Sequence, residues 1–198
     1  MVSTAARVGV LALQGDVREH AAALSDLGAD VQLVRRPEEL ASVDGLVLPG
    51  GESSVIDKLS RIFGMQQPIR DAIASGMPVY GTCAGLILLA DRITDGIDGQ
   101  QAFGGLDVTV RRNAFGGQVE SFETDLDVPA FGGEPVHAVF IRAPLVETVG
   151  QRATPLAALA DGRVVAVQQG ALIGTSFHPE VTGERRFHQR FLDLVRAA

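Results

Sequence analysis

The sequence predicts an α/β fold: a mostly parallel sheet with helices on both faces and a short antiparallel extension. Three observations carry that expectation. Residues 7–13 (Arg-Val-Gly-Val-Leu-Ala-Leu) form a continuous apolar run of strand length, as a strand buried on both faces should. Strand-like and helix-like patterns then alternate up to about residue 90. Further on, 106–111, 118–123 and 136–141 read as shorter strands with no helix between them, which suits antiparallel pairing. A chain of 198 residues without internal repeats or low-complexity tracts suits one domain, 1–198.

After the first strand, Gln14-Gly15-Asp16 leads into a helix that Asp16 is placed to cap, with Glu19 three residues on. Val17, Ala21, Leu24 and Leu27 recur at helical spacing, and Gly28 stops the helix. Residues 31–34 and 45–48 make the second and third strands. Pro49-Gly50-Gly51-Glu52-Ser53-Ser54 leaves the third strand, and Ser53 or Ser54 is placed to cap a helix running to Phe63. A further helix covers 65–74, and Pro78 opens a strand through Tyr80. Residues 91–105, rich in Gly, Asp and Gln, read as a surface loop. Residues 163–168 and 172–175 form a hairpin-like pair, and a final helix over 184–196 buries Phe187, Phe191, Leu194 and Val195.

Composition narrows the function classes. No apolar run approaches the ~20 residues needed to span a bilayer, so no membrane role is expected. The lone cysteine excludes an intrachain disulfide framework and fits a reducing cytosol, which places the protein in the cytoplasm. A formal net charge of −7 argues against a nucleic-acid partner. Lys58 is the sole lysine and lies in an ordinary helix, which argues against Schiff-base chemistry. His20, His137, His178 and His188 show no metal-ligand spacing, so no metal is expected.

The chemistry concentrates around Gly81-Thr82-Cys83-Ala84-Gly85. This segment joins the strand ending near Tyr80 to a helix starting near Leu86, in the pattern of a nucleophile elbow with cysteine as nucleophile. The flanking glycines answer a steric need, because side chains there would strike strand or helix. Backbone N–H groups at a helix start favour an anionic sulfur. In parallel sheets, ligands gather at the carboxyl ends of the strands, where both Cys83 and the Gly50-Gly51 loop would lie. That loop is a candidate oxyanion hole, with one donor from Gly50 or Gly51 and a second from Ala84. Ser176-Phe177-His178-Pro179-Glu180 follows the last strand. In an extended segment His178 and Glu180 face the same side, the carboxylate orienting the imidazole. Arg111, Arg112 and Arg142 end strands, and an arginine fork suits a ligand carboxylate.

Taken together, Pro49-Gly50-Gly51-Glu52-Ser53, Gly81-Thr82-Cys83-Ala84-Gly85 and Ser176-Phe177-His178-Pro179-Glu180 resemble the class I (triad) glutamine amidotransferases. The order Cys, His, Glu separates the chain from α/β-hydrolases, which run nucleophile, acid, histidine. Three further stretches narrow the match: residues 11–20 (Leu-Ala-Leu-Gln-Gly-Asp-Val-Arg-Glu-His), 112–116 (Arg-Asn-Ala-Phe-Gly) and 140–144 (Phe-Ile-Arg-Ala-Pro). They look like the family of glutaminase subunits of pyridoxal 5′-phosphate synthase, the PdxT/SNO family. The likeness runs from about Val8 to the C-terminal helix. It implies hydrolysis of L-glutamine to L-glutamate and ammonia, and delivery of ammonia through a tunnel to a PdxS-type synthase subunit that makes the vitamin B6 cofactor. Pyridoxal phosphate is then a product of the complex, and the chain itself needs no cofactor. By family matching, Cys83, His178 and Glu180 form the triad, and Gly51 and Ala84 supply the oxyanion hole. Gly50, Gly51, Glu52, Ser53, Arg112, Ile141 and Arg142 surround the substrate, and Gln14 takes a substrate or interface-signalling position. The family's behaviour implies that docking of the synthase orders the Gly50–Gly51 peptide into its donating orientation. One departure is visible: Gly117 stands where the family pattern Arg-Asn-x-Phe-Gly-Arg-Gln has its second arginine.

Two other readings compete. A triad glutaminase serving a different acceptor, such as one in nucleotide or imidazole-glycerol-phosphate synthesis, would share the three main motifs. The stretches at Gln14-Gly15-Asp16 and Arg112-Asn113 argue against it. A redox or binding protein of the DJ-1 type would use an elbow cysteine, but it lacks the His-Pro-Glu that this chain carries near its C-terminus.

Overall fold

The computed structural model describes residues 5–112 and 121–198. The first half follows the alternation read from the sequence. It comprises β1 (Arg7–Leu11), α1 (Val17–Asp26), β2 (Asp30–Val34), α2 (Pro37–Leu40), β3 (Gly45–Leu48), α3 (Ser53–Ile62), α4 (Gln66–Ala74), β4 (Val79–Thr82) and α5 (Ala84–Leu89). The short α2 has no apolar periodicity to announce it. Proline at its first position and Glu39, which accepts the N–H groups of Arg35 and Arg36, start it.

The second half is richer in strands than the sequence suggests. It holds β5 (Ala90–Thr94), β6 (Leu106–Arg111), β7 (Ser121–Leu126), β8 (Val136–Ile141), β9 (Leu145–Val149), β10 (Thr154–Ala158), β11 (Val164–Gln169) and β12 (Leu172–Thr175). Two helices follow, α6 (Pro179–Thr182) and α7 (Arg186–Ala197). Part of the expected loop over 91–105 is therefore β5, a half-exposed edge strand paired in parallel with β6. Arg92 links the two strands, donating to Thr109 and Asp107 across the pair. The expected strand over 118–123 is found as β7 from Ser121 onward, and residues 113–120, Gly117 among them, lie outside the described part.

Nine strands lie side by side in the order β2-β1-β3-β4-β12-β11-β9-β6-β5, with β10 paired to β11. From β2 to β12 every pairing is parallel, and β11 then runs antiparallel to its neighbours β12, β9 and β10. The pair β7–β8 stands apart as the short antiparallel extension. Side chains alternate between two cores. On one face Leu11, Leu46, Leu48 and Val79 pack with Ile56, Ile69 and Leu88 from α3, α4 and α5. On the other, Val8, Val10, Val47 and Tyr80 pack with Leu24 of α1 and with Phe187, Phe191 and Leu192 of α7. Helices thus cover both faces, which is why β3 and β4 are buried throughout. Among the described residues, no helix is long and apolar enough to cross a membrane.

Candidate active site

Four neighbouring parallel strands, β1, β3, β4 and β12, end at one edge of the sheet, and the segment leaving each carries part of one cluster. Cys83 follows β4 directly and has φ 49° and ψ −102°, a backbone region that L side chains rarely occupy. Such a residue costs of order 1–3 kcal/mol and persists only where its surroundings enforce it. Here they do. The Cys83 N–H is held by the Thr175 carbonyl at 2.8 Å, and the Cys83 carbonyl accepts the Ile87 N–H in the first turn of α5. The glycines on either side are required sterically, as the sequence suggests. A Cβ on Gly81 would lie 2.5 Å from the Gly85 backbone, and one on Gly85 would lie 2.1 Å from the Leu48 carbonyl oxygen.

His178 follows β12, and its N–H donates to the Val139 carbonyl at 3.0 Å, which fastens β8 over the site. Its Nδ1 lies 2.7 Å from Glu180 Oε1. The two residues do not lie on an extended segment as expected. His178 precedes the single-turn helix α6, with Pro179 at its first position, and Glu180 comes back to the imidazole from inside that turn. Nδ1–H is thereby committed to Glu180, which leaves Nε2 as the nitrogen for the sulfur of Cys83. Burial works against a charged imidazole. The bonds to Asp16, Cys83 and Glu180 outweigh it, and His178 is pushed up to about 12. Burial raises Glu180 above the usual carboxylate range, with its bond to His178 opposing.

Asp16 was expected to cap α1, and its side chain makes no capping bond. Its Oδ2 instead lies 3.4 Å from His178 Nδ1, a second carboxylate on the same ring atom. One ligand atom from each of Asp16, His178 and Glu180 falls within 4.8 Å of the others. The shared nitrogen is engaged by Glu180, so hydrogen bonding accounts for this grouping. Asp16 precedes α1 and His20 lies one turn further on, its N–H bonded to the Asp16 carbonyl, and that four-residue spacing was the signal available in the sequence.

The Gly50-Gly51 loop leaves β3 beside these residues. The Gly50 carbonyl accepts the Asp16 N–H at 3.0 Å, so in the trans peptide the Gly51 N–H leaves on the opposite side. Gln14 Oε1 accepts the Glu52 N–H at 2.8 Å and would lie 2.6 Å from a Cβ on Gly51. A Cβ on Gly50 would lie 2.5 Å from the His178 ring. Neither expected serine caps α3. Glu52 holds the cap position, Ser54 donates to Glu52 and Ser53 accepts from Gln100.

A cavity of about 240 Å³ opens over Cys83 and is lined by Asp16, Gly51, Glu52, Ser53, Ile87, Arg112, Ile141, Arg142 and His178. Of the residues expected to surround a substrate, all but Gly50 line it, and Gly50 lies directly behind. Arg112 is buried and points its guanidinium at Glu52 Oε1 (2.6 Å) and Gln100 Oε1 (3.0 Å). Gln100 was not singled out in the sequence, where it sits in a stretch with no pattern. It bridges Arg112 and Ser53 and braces that wall. Arg142 has φ 46°, and with Cys83 it makes two of the three non-glycine residues of positive φ among the described residues.

The model of the SNO glutamine amidotransferase family matches residues 10–197. The chain belongs to that family. It is 69% identical to the pyridoxal 5′-phosphate synthase subunit PdxT of Leifsonia xyli subsp. xyli over 96% of both chains. It is 67% identical to the subunit of the same name from Clavibacter sepedonicus, over 96% of this chain and 91% of that one. A crystal structure described as a glutamine amidotransferase superposes with a TM-score of 0.88 at 47% identity, covering 96% of this chain and 98% of the other. Membership in the SNO family accounts for the mostly parallel curled sheet and its added antiparallel pair.

Proposed function

We propose that this SNO-family chain, acting as one glutaminase domain over 1–198, hydrolyses L-glutamine at Cys83 and hands the ammonia to a PdxS-type synthase subunit making pyridoxal 5′-phosphate. The observation that carries the chemistry is the line Glu180–His178–Cys83: a 2.7 Å carboxylate–imidazole bond behind a cysteine in a strained elbow. His178 holds the thiol proton, and the sulfur of Cys83 attacks the carboxamide carbon of glutamine. The N–H groups of Gly51 and Ala84 bind the oxyanion, each worth ~3 kcal/mol of barrier. His178 returns its proton to the leaving nitrogen, ammonia departs, and a thioester remains on Cys83. Water then attacks the thioester, with His178 as base, and releases glutamate.

Glu52 and Arg112 stand side by side in the cavity wall, paired at 2.6 Å, and this adjacent carboxylate and guanidinium suit the ammonium and carboxylate of an amino acid. Ser53, Ile141 and Arg142 close the pocket around it. Gln14 touches the oxyanion loop through Glu52 and Gly51, so a partner pressing on Gln14 would act on the Gly50–Gly51 peptide. The relatives' name, synthase subunit, supports the partnership, and the lone reduced thiol suits the cytoplasm.

The test is glutamate release from glutamine, with and without the synthase subunit, with Cys83→Ala as control. The proposal expects turnover that rises with partner and falls by at least ~10³-fold in the variant. Absence of turnover in a demonstrated complex of folded proteins would favour a redox or binding role for Cys83.

A further inference from the structure

Behind the triad lies a buried polar chain that the proposed mechanism does not use. His20 on α1 and His188 on α7 are fully buried, and His20 Nδ1 lies 2.9 Å from His188 Nε2. The other nitrogen of His20, Nε2, lies 3.0 Å from Thr82 Oγ1 and 3.5 Å from Glu180 Oε1. Tyr80 fixes both rings by edge contacts, with centroids 6.3 Å from His20 and 5.4 Å from His188. Two imidazoles in an apolar core cost desolvation that leucines of similar volume would avoid. The geometry gives them a task.

We propose that His20, held by His188 in the tautomer protonated at Nε2, is a positioning residue for Glu180, tying that carboxylate to Thr82 and so to the strand that delivers Cys83. This rests on the triad reading above.

Two features select the tautomer. A bare Nε2 lone pair would face a carboxylate oxygen, whereas Nε2–H, bonded to the Thr82 hydroxyl, turns the positive end of its dipole towards that oxygen 3.5 Å away. Nδ1 of His20 then accepts from His188 Nε2–H, which leaves His188 Nδ1 without a proton. The Glu184 main chain favours a proton on that ring. No described acceptor, however, lies in hydrogen-bonding geometry with His188 Nδ1, and an orphaned lone pair is tolerated better than an orphaned N–H.

Glu180 also needs the support. Its Oε2 has no hydrogen-bond partner among the described residues, so both side-chain contacts, to His178 and to His20, converge on Oε1. Remove His20 and Oε1 loses one of its two side-chain neighbours; the carboxylate, then held by His178 and its own main chain alone, turns more readily about its last torsion and shifts the His178 ring with it. Burial, helped by His188 and His178, holds His20 well below the ordinary histidine range. The ring is therefore neutral at pH 7 and offers Glu180 a dipole in a fixed direction.

The experiment pairs kinetics with a direct reading of the tautomer. In the complex with the synthase subunit, His20→Ala is expected to lower kcat for glutamate release by of order 10–100-fold, the scale of a misplaced reacting group, with KM for glutamine changed less than about threefold. His20→Gln, whose amide N–H restores a donor, recovers kcat to within about threefold of wild type. Nitrogen-15 NMR of the unaltered protein shows His20 protonated at Nε2 and bare at Nδ1. A folded His20→Ala with wild-type kcat, a change confined to KM, or a His20 protonated at Nδ1 would overturn the proposal. Should His20→Ala fail to fold, the tautomer decides alone. Cys83→Ala separates the two levels: if it keeps wild-type turnover the triad reading falls, and if it is inactive while His20→Ala is not, only the role of His20 falls.

Discussion

Single atoms decide several positions at this site. A methyl group on Gly85 would sit 2.1 Å from the carbonyl oxygen of Leu48 in β3, and the nearest atoms, the Leu48 carbonyl group and Cβ, are not the end of a flexible side chain that could give way. Gly85→Ala is therefore expected to destabilise the fold by about 1–3 kcal/mol or more, read as a lowered thermal midpoint. Arg112 depends equally on shape, because its planar fork reaches Glu52 with one nitrogen and Gln100 with another. Lysine keeps the charge but cannot hold both partners. Arg112→Lys should raise KM for glutamine by roughly 10–100-fold with a smaller effect on kcat, because uniform binding is what it removes. The glycines of the elbow were legible in the sequence because the argument for them is steric and local. Gln100 was not, because its role comes from a chain reversal that brings residue 100 against residues 53 and 112.

The start of α1 does more than begin a helix. Gln14 holds the Glu52 N–H, Asp16 faces His178 and His20 reaches Glu180, so one segment touches the Gly50-Gly51 loop and both ends of the imidazole–carboxylate pair. Sequence pattern assigned Asp16 a capping role, the commonest use of aspartate before a helix. The carboxylate went to a buried ring instead, a partner 162 residues away that no local rule could supply. Asp16→Asn removes one negative oxygen from His178, which burial already disfavours as a cation. The raised proton affinity of His178 should fall, and with it the alkaline limb of the kcat–pH profile should move to lower pH. An alkaline limb unmoved in Asp16→Asn would mean that Glu180 and Cys83 suffice. His178 and Glu180 were paired correctly from the sequence although the backbone linking them is one helical turn; the residue types carried that inference, and the assumed extended geometry did not.

Across the whole molecule, the parallel half was readable because strands buried on both faces leave continuous apolar runs. The strands β5, β9 and β10 were missed because they are short and partly exposed, defined by their neighbours in the sheet. The core between the sheet and the helices α1 and α7 holds the buried histidines that make stability depend on pH. Burial and nearby Arg185 lower His188 from 6.5 to about 4, against the Glu184 main chain and side chain, and His20 is lowered too. Because both bind fewer protons folded than unfolded, their stabilisation is present above about pH 6.5 and is lost as pH falls towards 4. For His188 the full loss is of order 3 kcal/mol. Denaturant titrations between pH 7 and 4 should show that decline, and His188→Gln should flatten it. The central claim, that Cys83 attacks the amide carbon of glutamine, is tested most directly by a glutamine analogue bearing a diazoketone in place of the amide. The account predicts one covalent adduct, mapped by peptide mass spectrometry to Cys83, with glutamate release lost in proportion to labelling. Glutamate release that persists while Cys83 is fully modified, or loss of activity with label on another residue, would contradict it.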